Sequence, residues 1–178
     1  MSFLKILGVG GDKDSPAAGG TATVRKIVAE LETMEPDKAR YVAAFAYILG
    51  RVAHADLEIS ELETRKMEEV IRRLGHLPEE QAILVVQIAK SQNRLFGHTE
   101  NFLVTREFVQ VSTAEQRQEL LDCLFAVSAA DESITSAEEA QIRQIASELG
   151  FSHRQFVEAR KLYSQHREVL KSLQNSSD

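Results

Sequence analysis

One pattern occurs twice in this chain, and the two copies are 75 residues apart. The first copy runs from Asp56 to Gly75, and the second runs from Asp131 to Gly150. Asp, Ile, Glu, Leu and Gly are identical at matched positions, and Ser/Thr, Met/Ile and Val/Ile are close substitutions. Such self-similarity indicates that one supersecondary unit was used twice. We therefore expect two similar halves with two equivalent acidic corners, which we define as residues 56–63 and residues 131–138.

The helical period predicts an all-α chain of about eight helices with no convincing strand. The 178 residues fit a single domain. We expect a flexible arm over residues 1–20, a helical domain over 21–172 and a disordered tail over 173–178. The sequence leaves open whether a pseudo-two-fold axis or a translation relates the halves. The predicted helices are Thr23–Met34, Pro36–Ala55, Glu61–Leu74, Pro78–Arg94, Glu100–Gln110, a sixth capped at Ser112 and Thr113, Ser136–Leu149, and a last one that begins after Ser152.

The second and sixth predicted helices are apolar on nearly every face, which is typical of central, buried helices. They predict a core that consists of Phe45, Ile48, Leu49, Val52, Leu120, Leu124 and Val127. Cys123 lies in the same apolar run and is the only cysteine, so it predicts an inert core thiol and excludes an intramolecular disulfide.

Charge and targeting signals limit the classes of function. A net charge of −6 argues against nucleic-acid binding and favours cations or basic partners. The apolar start, Met1 to Val9, is too short to cross a bilayer and lacks the features of a signal peptide. The cytoplasm is therefore the default location. Membrane contact by Phe3 to Leu7 is conceivable, but an arm or a strap that docks on the domain is favoured.

Folding alone explains most of each acidic corner. Ser60 with Glu63, and Thr135 with Glu138, have the spacing of a capping box at a helix N-terminus. Gly75 and Gly150 are expected to be the left-handed residues that end the following helices. Ile59 and Ile134 precede the caps and are expected to plug into the core.

The two aspartates remain unexplained by capping. Asp56 and Asp131 follow the C-terminal end of a helix, where the helix dipole makes a carboxylate mildly unfavourable. A bound cation would make the electrostatic environment of these carboxylates favourable. The oxygen ligands that Ca²⁺ or Mg²⁺ takes are available from Asp56, Glu63, Asp131 and Glu138. Glu58 and Glu132 are further acidic residues nearby. The residues therefore leave two interpretations open, a divalent-cation site or helix caps with surface charge.

Other known site patterns do not fit the chain. The corner is not an EF-hand, because Met67 and Ile142 stand where a bidentate Glu is required. No Cys/His pair has the spacing of a zinc site. His54 precedes Asp56, but its repeat counterpart is Ala129, so we interpret it as incidental. Phosphate-binding loops, nucleophile elbows and other catalytic motifs are not found.

A family resemblance covers about residues 36 to 165. The corners read Ala55-Asp56-x-x-Ile59-Ser60-x-x-Glu63 and Ala130-Asp131-x-x-Ile134-Thr135-x-x-Glu138. This phrase resembles the Ala-Asp-Gly-x-Ile-x-x-x-Glu signature of the TerB-like family, which includes bacterial tellurite-resistance TerB proteins and the N-terminal domain of DjlA-type co-chaperones. Leu57 and Glu132 replace the signature Gly, which would permit positive φ, so the loop is expected to be reshaped.

The resemblance implies an all-helical fold with two pseudo-symmetric halves and a role as a stress-response module. It also implies a divalent metal at Asp56, Glu63, Asp131 and Glu138. The tellurite-resistance phenotype belongs to an operon rather than to a fold. Three hypotheses follow: a non-enzymatic cation-binding module that acts through protein partners, a protein-interaction or scaffold domain without metal, and, least favoured, an enzyme that uses a metal-bound water.

Deletion of residues 1–20 is predicted to leave the domain folded, because the segment is Gly-rich and its apolar patch is very small. Thermal unfolding followed by circular dichroism checks this. An aggregated or unfolded truncation would show that Phe3 to Leu7 belongs to the core.

Overall fold

The computed structural model describes residues 21–53, 59–91 and 101–167, with only the backbone described for Thr21 to Val24 and for Asp131. Within these ranges the chain is helical, as predicted, and its only β-type pairing is an isolated bridge between Ile134 and Arg167. The helices are α1 (Thr21–Glu32), α2 (Pro36–Ala53), α3 (Glu61–Leu74), α4 (Glu79–Lys90), α5 (Asn101–Val111), α6 (Ala114–Ser128), α7 (Ser136–Glu148) and α8 (His153–Lys161), with short 3₁₀ turns at Ala129–Asp131 and Ser164–His166.

Helix α2 is the centre of the domain. Every residue from Tyr41 to Gly50 is buried, so the helix has no solvent face over nearly three turns. It packs against α4, α5, α6 and α7, and α1 covers it further. A helix that is apolar all round is stable in water only when other helices enclose it. This confirms the central position that was predicted for it.

The predicted core is largely confirmed. Phe45, Ile48, Leu49 and Val52 of α2 are buried, as are Leu120 and Leu124 of α6. Val127 is the exception, because it is only partly buried and packs against the edge of the core. Aromatic contacts extend the core on both sides of α2 and α6; they join Tyr41 and Phe45 to Phe108, and Phe125 to Phe156 and Tyr163.

Helices α3 and α6 pack side by side in opposite directions. Near the start of α3, Lys66 Nζ donates to the Ala130 carbonyl oxygen, just beyond the end of α6, at 2.8 Å. After the end of α3, His76 Nδ1 lies 2.7 Å from Glu119 Oε1 near the start of α6. The start of α3 and the end of α6 therefore lie at the same end of this helix pair. The superposition of the two halves stays a prediction.

The two repeated glycines differ in conformation. Gly150 has φ 89° and ends α7 in the left-handed region, as predicted. The same prediction was wrong for Gly75, which has φ −81°, and the left-handed residue is His76 with φ 51°. Close packing, and not backbone conformation, favours a glycine at position 75. A Cβ there would lie 2.6 Å from the Ile71 carbonyl oxygen and 3.3 Å from the Phe45 ring.

The described helices include none that combines the length and the apolar character needed to cross a membrane.

Replacement of Leu124 by Ala is expected to lower the free energy of unfolding by roughly 2–5 kcal/mol, because it removes a fully buried side chain and leaves a cavity. Denaturant unfolding at equilibrium measures the change. The matched control is Leu162→Ala, since Leu162 is 74% exposed and its truncation should be nearly neutral. A cost below about 1 kcal/mol for Leu124→Ala would contradict the central position of α6.

Candidate functional site

Both corners begin their helices with a complete capping box. In the first corner, Ser60 N donates to Glu63 Oε2 at 2.6 Å and Glu63 N donates to Ser60 Oγ at 3.2 Å. In the second corner, Thr135 N donates to Glu138 Oε2 at 2.8 Å and Glu138 N donates to Thr135 Oγ1 at 3.2 Å. Each box satisfies two backbone donors of a helix N-terminus. The capping prediction is confirmed in both halves.

The isoleucines before the caps fix the corners to the core. Ile134 is 1% exposed, and Ile59 is partly buried and packs against the core. The isoleucine therefore anchors the N-terminus of each capped helix to the core. This confirms the role that the sequence predicted for both side chains.

The backbone at the signature glycine position retains a glycine-like conformation. Glu132 has φ 70° and ψ 7°, which is the left-handed region that a Gly adopts without steric cost. A Glu therefore occupies a conformation that a Gly would permit, and the reshaping of the loop stays a prediction. Its counterpart, Leu57, lies outside the described residues.

A lysine that sequence reasoning missed links α3 to the residue before the second corner. Lys66 lies one turn after Glu63 and donates from Nζ to the carbonyl oxygen of Ala130, the residue before Asp131. The pKa of Glu63 lies below its usual range because of its hydrogen bonds with Ser60, and the nearby Lys66 charge lowers it further. The repeat gave no signal for this contact, since the counterpart of Lys66 is Gln141.

The four predicted ligands are only partly placed. Asp56 lies outside the described residues, as does His54, and only the backbone of Asp131 is described. Glu63 and Glu138 are each held through Oε2 in a capping box. Across residues 21–53, 59–91 and 101–167, no three His, Cys, Asp or Glu side chains form a group that could hold a metal ion.

At the C-terminal ends of α2 and α7, Arg51 and Glu148 form a largely buried ion pair. Arg51 donates from Nη1 and Nη2 to the two carboxylate oxygens of Glu148 at 2.7 and 3.2 Å, and the side chains are 2% and 12% exposed. Thr105 Oγ1 donates to the same carboxylate at 2.7 Å. Burial alone would raise the pKa of Glu148, but the hydrogen bonds from Arg51 and Thr105 hold it below its usual range. Arg51 therefore ties α2, α5 and the C-terminal end of α7 together.

A second buried carboxylate ties the C-terminal segment to the second corner. Glu139 is 6% exposed and accepts from Arg160 Nη1 at 2.8 Å and from Arg167 Nε and Nη2 at 2.8 and 2.9 Å. Next to it, Ile134 N donates to the His166 carbonyl oxygen at 2.7 Å. The sequence gives one indication of this cluster. Glu139 occupies the N4 position of α7, where a hydrophobic staple has an apolar residue.

Cys123 has the character that the sequence predicted. Its side chain is fully buried, and burial raises the pKa of the thiol well above its usual range. A thiol in that state is a poor nucleophile and a poor metal ligand.

The comparison with known proteins decides the family. The model of the family described as tellurite resistance protein TerB matches residues 41–161, which is more than half of the chain. The chain belongs to the TerB family. The matched range begins within α2 and ends with α8, so this TerB-family chain has both acidic corners, the Arg51–Glu148 pair and Glu139 inside the family region. Neither the curated proteins nor the solved structures give a match.

The pKa of Glu139 predicts acid-sensitive stability. Burial acts to raise it, but the hydrogen bonds and charges of Arg167 and Arg160 hold it below the ordinary value of 4.5. A depressed carboxyl pKa contributes stability above the unfolded pKa and loses that contribution as the pH falls through the folded pKa. We expect the Tm of the wild type to fall as the pH drops below about 4.5, and Glu139→Gln to have a lower Tm at neutral pH and a flatter slope.

Glu158→Gln is the matched control, because Glu158 pairs with Lys161 on the surface, where both side chains are about 60% exposed. Such a pair contributes roughly 0–1 kcal/mol. Thermal melts of the three proteins between pH 3 and 7 make the comparison. An unchanged pH slope in Glu139→Gln would contradict the prediction.

Proposed function

We propose that this TerB-family chain is a non-enzymatic helical module that binds a divalent cation, Ca²⁺ or Mg²⁺, between its paired acidic corners. We further propose that it acts in stress response, of the tellurite-resistance kind, through protein partners in the cytoplasm. The family match supports the module. The cation, the partners and the stress role are our own extension of it.

The bond between Lys66 and Ala130 is the observation that carries the proposal. It links the second turn of α3 to the turn that contains Asp131 across 2.8 Å. The helix that follows the first corner therefore contacts the residue just before the second corner, and we propose that the two corners converge there. Carboxylates gathered in one region repel, and two like charges at about 4–6 Å repel by a few kcal/mol at an effective dielectric constant near 20. A cation between them removes that cost.

The chemistry of the described carboxylates fits a hard cation. The lowered pKa of Glu63 keeps its carboxylate ionised at neutral pH, as metal binding requires. Its Oε2 accepts from Ser60 N in the capping box, which leaves Oε1 free of the cap. Asp56, Asp131 and Glu138 are the proposed further ligands. A bound divalent ion would supply charge neutralisation and a link between the two halves.

A second candidate function is a protein-interaction or scaffold domain without metal. The two complete capping boxes favour it, because they give Glu63 and Glu138 a purely structural role. Lys66 favours it as well, since its ammonium group already supplies a positive charge next to the turn that contains Asp131. Both candidates act through partners, and they differ only in whether a cation is required.

Metal-dependent melting separates the two candidates. A ligand at about 100 times its Kd stabilises the native state by roughly 2.7 kcal/mol, which corresponds to several degrees of Tm in a chain of this size. We expect Ca²⁺ or Mg²⁺ at millimolar concentration to raise the Tm, and the double variant Asp56→Asn with Asp131→Asn to lose that rise.

The control is the double variant Glu115→Gln with Glu158→Gln, which makes the same change of net charge at exposed positions away from the corners. It should respond to metal like the wild type. If neither cation changes the Tm of the wild type, the cation-binding proposal is rejected and the scaffold function remains. An equal response from the aspartate variant would place any cation elsewhere.

A further inference from the structure

A groove lies between α7 and the start of α8, away from the capping boxes. Its volume is about 430 Å³, within the range of sites that bind ligands or side chains of a partner. One wall is the exposed face of α7, and it consists of Ala140, Arg143, Gln144 and Ser147. The opposite wall includes Phe151, His153 and Phe156.

The first half of the repeat has a smaller, more highly charged counterpart of this groove. Each of the four exposed α7 residues that line the groove lies 75 positions after a residue that lines a cavity in the first half, between α3 and α4. Those counterparts are Arg65, Glu68, Glu69 and Arg72, and their cavity measures about 140 Å³. The first half thus covers this face with long side chains of balanced charge, whereas the second half has shorter, mostly uncharged ones. Folding of the repeat does not explain this loss of side-chain bulk and charge.

The groove is also positive in a chain of net charge −6. Of the described residues that line it, Arg143 and His153 are basic and none carries a carboxylate. The carboxylate behind the groove is Glu139, which is already bound by Arg160 and Arg167 at 2.8 Å. Arg143 lies farther away, at 3.6 Å, and its side chain is 55% exposed. Three guanidinium groups therefore share one carboxylate, and the most exposed one faces the groove.

Apolar surface accompanies this charge. The Phe156 ring has the guanidinium groups of Arg143 and Arg160 at 5.6 and 5.4 Å from its centroid. Phe151 is only half-buried, and Ala140 and Ser147 are exposed and small, so a bound backbone could approach α7 closely. The N-terminus of α8 adds a partial positive charge next to Ser152. The groove thus combines apolar contact surface with groups that attract carboxylates.

We propose that the groove between α7 and α8 binds an acidic, amphipathic segment of a partner protein. Carboxylates of the segment would pair with Arg143 and His153, and its apolar side chains would pack on Ala140, Phe151 and Phe156. The proposal rests on the partner-binding part of the proposed function and gives it a site and a chemistry. It does not depend on a cation at the corners.

The test uses a fluorescein-labelled 12-residue peptide that consists of Glu and Leu in amphipathic helical order, titrated with the full chain and followed by fluorescence anisotropy. We expect saturable binding that weakens about tenfold or more with Arg143→Glu, and that weakens as salt is raised from 50 to 300 mM. A variant that carries the first-half residues, Ala140→Arg, Arg143→Glu, Gln144→Glu and Ser147→Arg, should also lose binding. These side chains are solvent-exposed, so circular dichroism should show a folded domain.

The matched control is Arg154→Glu, which reverses the same charge at an exposed position of α8 outside the groove and should change the affinity less than twofold. Peptides with Gln for Glu, or Ser for Leu, should both bind at least tenfold more weakly. Equal losses in Arg143→Glu and Arg154→Glu, equal binding of the Ser peptide, or no saturable binding to the wild type would each overturn the proposal.

Self-association is measured on the same samples by analytical ultracentrifugation. A wild-type dimer that Arg143→Glu dissociates and that the peptide does not displace would make a second copy the occupant and overturn the proposal. The Ca²⁺ and Mg²⁺ melts of Arg143→Glu keep the two proposals apart. A retained metal response with no peptide binding would overturn the groove alone, and peptide binding without a metal response would remove only the cation from the proposed function.

Discussion

The complete burial of α2 is the constraint on which the rest of the domain depends. A helix with buried residues from Tyr41 through Gly50 cannot be stable at a surface, so other helices must cover every side of it. Helices α4, α5, α6 and α7 do so, and they come from both halves of the repeat. The end of α2 therefore lies against the other half of the repeat, where Arg51 contacts Glu148 of α7.

Ionic contacts then fix elements that apolar packing would leave free to slide. Arg51 holds Glu148 at the C-terminal end of α7, and Glu139 binds Arg167 in the segment that pairs with Ile134 of the second corner. Loss of one partner from such a buried pair costs roughly 3–5 kcal/mol, because the other charge is left without compensation in a poorly solvated place. We therefore interpret these ion pairs as contacts that fix the relative positions of α2, α7 and the C-terminal segment, even where their net contribution to the free energy of unfolding is small.

The two halves have diverged in surface chemistry more than in local structure. Both corners have the same capping box, yet Lys66 occurs only in the first and the surplus of arginine around Glu139 only in the second. The faces of α3 and α7 differ in the same way, since four charged side chains line a small cavity on the first and a single arginine lines a larger groove on the second. Duplicated units that are held by the same core contacts can vary their exposed faces independently, because exposed substitutions cost little stability.

The sequence by itself determined the all-α class, the helix order, most of the core and both capping boxes. These features are local, or depend on a period that a few residues set, such as Ser60 with Glu63 or the apolar run around Leu49. Only the tertiary structure decided which distant groups meet, including Lys66 with Ala130, Arg51 with Glu148, and Glu139 with Arg167. Each of these contacts joins residues that are 28 to 97 positions apart. Their distance is set by how helices pack around α2, which no local pattern encodes.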